Sequence, residues 1–521
     1  MAVTKTYAVS LVGLAGTIIE IEAEISSNLP SFVLVGLPDA SLSESRDRVR
    51  AAAQNSGLAL PGRRVTVNLS PASVPKRGAS FDLAIAIAIL AASGKVISDS
   101  VASFIHLGEL GLDGSVRGVP GVLPALLAAK AAGWAKFIVP LDNLDEAGMV
   151  EGIKVFGAKT LAEVSRFHGA NLVADELALH KGERPSMNQV AESDLDLSDV
   201  IGQDDAIYAL TLAAAGGHHM LMVGPPGVGK TMLAERLPSI LPALTFDESL
   251  ETSALRSIAA AGSRKPIPDL VAKRPFEAPH HSASLTSLIG GGASLPRPGL
   301  VSLANHGVLF LDEAPEFQRP ILEALRQPLE SGEVLISRTA GLARFPAKFQ
   351  LIMAANPCPC GKYDGNGRAC VCPAGSRHAY LAKLSGPLLD RIDVRLKLHP
   401  DNPAQIALAR MGAQQLGRSS AEIRARVIEA RDRAQRRLRD TPWSINAEIP
   451  GSYLRKNLRT DSEATAMLDK SMERGQLSMR GYDRCLRMAW SNADLSGRDM
   501  VNAEDVAKAA LLRGEDGAGA W

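Results

Sequence analysis

"GPPGVGKT", residues 224–231, is the stretch from which the fold of this 521-residue chain is read. It fits G-x-x-x-x-G-K-[ST] at every fixed position. The apolar "HMLMV" leads into it and the helical pattern "TMLAERL" leads out, which is the strand–loop–helix setting that a phosphate-binding loop requires. Gly224, Gly227 and Gly229 let backbone N–H groups turn towards phosphates, with Pro225, Pro226 and Val228 completing the loop. The helix that follows adds the partial positive charge of its N-terminus. Lys230 is expected to reach the β- and γ-phosphates of ATP, and the Thr231 hydroxyl to ligate Mg²⁺.

Working outward, "GVLFLDE", residues 307–313, is a buried strand ending in two acids. Alone it would read as a strand with a solvated end. About eighty residues after a phosphate loop, Asp312 is expected to hold Mg²⁺ and Glu313 to polarise the attacking water. A further strand, "FQLIMAAN", ends at Asn356, a polar tip suited to positioning that water. In "SGPLLDRID", Arg391 closes a helical turn. It is either a surface ion-pair residue or a finger reaching a neighbouring subunit's γ-phosphate. A finger contributes roughly 10³–10⁵ in rate, about 4–7 kcal/mol of barrier.

The whole chain suits two to four domains. Its net charge of +1, with 46% hydrophobic and 22% charged residues, gives no global field for nucleic acid. Residues 1–173 alternate strand and Ala-rich helix patterns and predict an α/β domain. "YAVSLVGL" and "TIIEIEAEI" predict a hairpin turning at Ala15-Gly16. The alternation of Ile19, Ile21 and Ile25 with glutamates reads as a half-buried strand, not a signal peptide, and no apolar run spans a bilayer; a cytoplasmic chain without a membrane partner is expected. Residues 174–196 read as a linker, 197–400 as a P-loop αβα domain and 401–521 as a helical lid. Within "AEIRARVIEARDRAQRRLRD", residues 421–440, the apolar stripe predicts a helix whose seven arginines are mostly solvated and paired, or else face another subunit or DNA.

Four of the five cysteines fall in fifteen residues, "CPCGKYDGNGRACVC". Cys358, Cys360, Cys370 and Cys372 form two C-x-C pairs in an insert at 356–373. Four thiolates would close a tetrahedral Zn²⁺ site with no open position, and the turn-rich intervening residues lack an apolar pattern of their own. Reduced structural or redox-active thiols are the alternative.

"GPPGVGKT", "GVLFLDEAPEF", "AANPCPCG" and "LSGPLLDRID", in this order, resemble the magnesium-chelatase-like AAA+ ATPases, and more narrowly the ComM/YifB group, over almost the whole chain. The resemblance implies a hexameric homo-oligomer with ATP between subunits. It casts Asn356 as first sensor, Arg391 as arginine finger and Arg480 as second sensor, acting in cis or in trans, and puts Val200 and Ile201 at the adenine. It also implies two loops facing the ring's pore, at 282–299 and 333–346. Arg297, Arg338, Arg344 and Lys348 are candidate DNA-phosphate contacts there, although scattered arginines more often make surface pairs. For function it implies ATP-driven branch migration of DNA. A chelatase motor for metal insertion is an alternative, and a Lon-like protease a second one. The N-terminal domain resembles the Lon protease domain, with Ser80 of "PKRGAS" at the serine position. The partner-lysine position, however, is Ala125, with Lys130 five residues further on. Ser80 is therefore expected to cap the following helix, with Lys76 and Arg77 open to DNA or another subunit.

Overall fold

Alternating burial drives the first sheet. In the computed structural model, which describes residues 3–514 except 37–43, 77, 173–178, 182–194, 261–268, 293–295, 339–340, 364–369, 400–418, 459 and 461, strands β1 (Thr4–Val12) and β2 (Ala15–Ser26) pair antiparallel. Ile19 and Ile21 point into the core, while Glu20 and Glu22 pair with Lys5 across the strands. The turn is Gly13-Leu14, two residues earlier than the sequence suggested. Gly13 has φ +65°, and a left-handed residue matches the twist of a two-residue hairpin. The sheet grows with β3 (Ser31–Val35), β4 (Arg64–Ser70), β5 (Ile105–His106), β6 (Lys136–Pro140), β7 (Lys154–Ala158) and β8 (His180–Lys181). Its order is β8-β7-β6-β5-β1-β2-β4-β3. β8 lies within the stretch expected as a linker, most of which is outside the described residues.

Helix α1 (Asp82–Ala92), "DLAIAIAILAA", has no polar face and is buried along almost its whole length, as an apolar helix must be. A 3-10 turn, Ala79–Phe81, precedes it, and helix α2 (Val122–Ala131) lies further along the same domain. Ser80 lies inside that turn and makes no capping bond, contrary to the sequence expectation; its carbonyl accepts the Gly108 N–H. Lys76 is buried and donates to the Pro71 carbonyl, so it is not available to DNA, and Arg77 is outside the described residues.

The second sheet is five parallel strands. β9 (Met220–Val223), β10 (Phe276–Glu277), β11 (Val308–Leu311), β14 (Gln350–Ala355) and β15 (Val394–Lys397) stand in the order β10-β11-β14-β9-β15. β9, β11 and β14 are buried on both faces, as a parallel sheet sandwiched by helices demands. Helices α3 (Asp204–Gly216), α4 (Lys230–Ile240) and α5 (Phe246–Ala259) flank it. A separate hairpin, β12 (Glu333–Arg338) and β13 (Gly341–Pro346), follows helix α6 (Arg326–Ser331).

The C-terminal region is helical: α7 (Ser420–Arg437), α8 (Met479–Leu495) and α9 (Ala503–Arg513). In α7, Ile423, Val427, Ala430 and Ala434 form the buried stripe. Three of its arginines are half-buried and bonded within the chain. Arg424 and Arg431 donate to the Ser239 and Ala214 carbonyls, and Arg437 clasps Asp494 at 2.7 Å. The Arg424 and Arg431 bonds tie the lid to helix ends of the P-loop core, where carbonyls lack partners, and the Arg437–Asp494 pair joins α7 to α8 within the lid.

The N-terminal region docks on α5. Ala254 joins its apolar core, the Ser257 hydroxyl binds buried Glu146, and the Gly121 N–H donates to Ser257 at 3.1 Å. At the β1–β2 turn, a Cβ on Gly13 would come 2.8 Å from the Arg344 carbonyl of β13.

Candidate functional site

The phosphate loop, Asp312, Glu313 and Asn356 all follow carboxyl ends of parallel strands, where an open α/β sheet binds its ligands. Gly227 and Gly229 have φ +84° and +85°, and a Cβ on Gly227 would meet nothing within 4 Å. The loop thus leaves an open cradle lined by main chain. Gly224 is required for a different reason: a Cβ there would lie 2.8 Å from the Leu398 carbonyl and 3.1 Å from buried Val228.

Lys230 is largely buried. Its Nζ donates to the Gly224 carbonyl (2.6 Å), the Pro225 carbonyl (3.0 Å) and Asn356 Oδ1 (3.1 Å). Burial pushes its pKa down, while Asp312 and Glu313 oppose that shift. The Thr231 hydroxyl donates to Asp312 Oδ2 at 2.9 Å, so the two oxygens expected on Mg²⁺ are already adjacent. Glu313 has φ +49°, an uncommon backbone for a non-glycine residue. Its N–H donates to Asp312 Oδ1, and its carboxylate lies 3.7 Å from His281 Nδ1. His281 escaped the sequence reading; its signal was "PHHS", next to the 282–299 loop.

Val200 is buried in the core and Ile201 is half-buried. Two residues on, Gln203 donates to the His399 carbonyl, beside the Leu398 that packs on Gly224. This segment therefore adjoins the phosphate loop.

Arg391 and Arg480 are elsewhere. β9 and β15 run parallel with Met220 opposite Val394. The phosphate loop follows β9, whereas Arg391 precedes β15, so the two sit at opposite edges of the sheet. A four-residue strand separates those edges by on the order of 10 Å before any loop is counted. Arg480, at the start of α8, is 77% exposed and 3.8 Å from Asp390. The two arginines share a cavity of about 220 Å³ with Arg484, Arg487, Glu330 and Asp390. Arg484 pairs with buried Asp393, which also accepts His218 at 2.9 Å. Spacing could not reveal this cluster, because helix packing closes the 89-residue gap between Arg391 and Arg480.

The four sulfurs of Cys358, Cys360, Cys370 and Cys372 lie within 4.8 Å of one another, three of the separations being 3.4, 3.6 and 3.7 Å. A tetrahedron with Zn–S bonds near 2.3 Å has edges of about 3.8 Å, so the donor set fits zinc. The Lys362 N–H and Cys358 hold the Cys360 thiol down at about 6, which favours one thiolate at neutral pH. The knuckle abuts the phosphate loop: a Cβ on Gly361 would be 2.8 Å from the Pro226 ring and 3.9 Å from Asn356 Cγ.

Of the expected loop residues, two come together. Arg297 pairs in register with Gly291, and the Arg338 guanidinium would be 3.5 Å from a Cβ on Gly291. Arg344, 65% exposed, is on the same hairpin but stands opposite Leu335, 3.5 Å from Glu333 and on the other face from Arg338. Lys348 stands apart at the hairpin base, against Gly332. Ser80 and Ala125 line one cavity of about 610 Å³ together with Arg297. The Lys130 amine is not among that cavity's lining; it lies 3.9 Å from a Cβ on Gly152.

A phosphate loop, an Asp-Glu pair and a strand-end asparagine on one edge of a parallel sheet, with a helical lid, define an AAA+ P-loop protein. Family models agree: "Magnesium chelatase, subunit ChlI" matches residues 196–406, "Subunit ChlI of Mg-chelatase" 21–143, and "Magnesium chelatase, subunit ChlI C-terminal" 417–513. The chain is 48% identical to Rv2897c of Mycobacterium tuberculosis, covering 98% of this chain and 99% of that protein. It is 40% identical to YifB of Escherichia coli (99% and 98% covered) and 40% identical to the competence protein ComM of Haemophilus influenzae (98% and 98%). The chain belongs to the ComM/YifB group of magnesium-chelatase-like AAA+ proteins. This membership implies ATPase activity with ATP and Mg²⁺. Among the described residues no helix is long and apolar enough to cross a membrane.

Proposed function

We propose that this protein is an ATP-hydrolysing ring motor that moves branched DNA, migrating recombination intermediates in the cytoplasm. The observation carrying this reading is the division of the site. Lys230, Thr231, Asp312, Glu313 and Asn356 occupy one edge of the sheet, and Arg391 and Arg480 the other. A subunit so built lacks the arginines for its own nucleotide and offers them to the next. Repeating that head-to-tail contact closes a ring, here taken as a hexamer.

In this reading Lys230 leaves its carbonyl partners for the β- and γ-phosphates, and Thr231 and Asp312 hold Mg²⁺. Glu313 polarises the water that Asn356 orients, and Val200 and Ile201 border the adenine. The neighbour's Arg391 and Arg480, both in trans, neutralise charge developing on the γ-phosphate. Zn²⁺ held by the four cysteines orders the knuckle that supports Pro226 and Asn356. Arg297 and Arg338, which come together at Gly291, support a sequence-independent grip on DNA phosphates; the positions of Arg344 and Lys348 support that role less.

The match to the magnesium-chelatase ChlI family favours a second reading, a chelatase motor. One assay separates them: ATP turnover with branched DNA, or with a porphyrin and Mg²⁺. Stimulation by DNA alone supports the DNA motor. Stimulation by porphyrin alone overturns it. Peptidase action has less support, because the Ser80 cavity has Ala125 where a lysine would be needed.

A further inference from the structure

Arg391 is folded back on its own subunit. Its side chain is only 11% exposed; one Nη donates to the Pro387 carbonyl and the other pairs with Glu330. Its Nε is buried without an acceptor among the described residues. The backbone beneath it is held by the lid: Arg484 donates to the Arg391 carbonyl at 3.3 Å and Arg513 to the Ile392 carbonyl at 2.9 Å. The side chain is thus the part free to move, and Glu330 is the charged group that holds it in, beside the Pro387 carbonyl of its own helical turn.

Glu330 is not a fixed wall. It is 64% exposed, on the last turn of α6, three residues before the first residue of hairpin β12–β13. The junction is rigid. Gly332 turns at φ +69°, its carbonyl accepts Ala347 N–H at 2.8 Å across the hairpin, and the single Ser331 hydroxyl proton lies between the carbonyls of Gln327 and Glu333, each 3.0 Å from the oxygen. A displacement of the hairpin is transmitted to Glu330 with little slack.

We propose that Glu330 is a releasable latch on Arg391. It sequesters the guanidinium until movement of the hairpin that bears Arg338 and Arg344 withdraws α6. The freed guanidinium then extends to the neighbouring subunit's phosphates. An ion pair with one partner mostly in water is weak enough to be exchanged for a phosphate, which carries more charge and accepts both N–H bonds. Glu330 is a positioning residue in this scheme, touching Arg391 and not the nucleotide. The proposal rests on the divided-site reading above.

The test measures steady-state ATP turnover, with and without branched DNA, for the full chain and for Glu330→Gln, Glu330→Ala, Arg391→Ala and Glu330→Gln/Arg391→Ala. The latch predicts that both Glu330 variants raise DNA-free kcat about two- to fivefold, the range a screened surface pair allows, with KM for ATP unchanged. Stimulation by DNA falls by the same factor, and the double variant is as slow as Arg391→Ala. DNA-free kcat at or below wild type in both Glu330 variants, with Arg391→Ala slow, overturns the latch and leaves the divided site standing. Wild-type turnover in Arg391→Ala overturns the divided site itself.

Discussion

On the divided-site reading, replacing Arg391 by alanine removes a guanidinium that serves the neighbouring subunit's nucleotide and not this subunit's own. Its segment precedes β15 and the phosphate loop follows β9, so the two groups face away across the sheet. Loss of a trans-acting arginine is expected to lower turnover roughly 10³–10⁵-fold, while ATP binding by the altered subunit persists. Lys230→Ala is the mirror case: that subunit cannot grip phosphate yet keeps its arginines. Each variant alone is inactive. In rings formed at random from equal amounts of the two, one site in two has an intact phosphate loop, and half of those face an intact Arg391. Turnover should therefore return to about a quarter of wild type, because a head-to-tail ring gives each site one donor neighbour. The assay is phosphate release after the variants are mixed and reassembled, with binding of a fluorescent ATP analogue to Arg391→Ala alone as control. No recovery on mixing, with both variants still assembling, refutes the argument that the arginine acts across a subunit boundary.

Three further outcomes follow from separate parts of the molecule. Purified protein should carry about one zinc per chain; Cys358→Ser should lose it and raise the KM for ATP, since the Gly361 turn leans on Pro226, and metal analysis with nucleotide titration checks both. His306 lies 3.4 Å from Glu248 and 2.6 Å from Glu251; burial pushes its pKa down, but these carboxylates outweigh burial and hold it above its ordinary 6.5. The stability this gives is complete below about pH 6.5 and lost as pH rises through the raised value, so the melting temperature should fall from pH 6 to 9, and His306→Gln should flatten that slope. A fluorophosphonate should leave Ser80 unlabelled, because its cavity presents Ala125 rather than an amine; labelling detected by mass spectrometry would contradict this.

What the sequence disclosed follows a physical pattern. The phosphate loop and the 307–313 strand were legible because their chemistry needs neighbouring residues in a fixed order. The zinc-type cluster was legible for the same reason. The β1–β2 turn was misplaced by two residues because Gly13 and Gly16 compete for it; Gly13 takes the left-handed position, and Gly16 lies in the strand, where a Cβ would press on Ala128. Ser80 was misread as a cap because an unforeseen 3-10 turn carries the chain to Asp82 before the helix begins. Contacts between distant elements left no local trace. The gathering of Arg391, Arg480 and Arg484 and the docking of Glu146 on Ser257 both depend on packing over long sequence separations. So does the use of Arg424 and Arg431 as lid anchors.

The central claim, an ATP-driven motor on branched DNA, meets its most direct test on a synthetic Holliday junction with one labelled strand. With ATP and Mg²⁺ the wild-type protein should resolve the junction into duplexes. Lys230→Ala and Glu313→Gln should bind it and leave it intact. A wild-type protein that hydrolyses ATP at the same rate with and without the junction, and neither binds nor resolves it, would contradict the account.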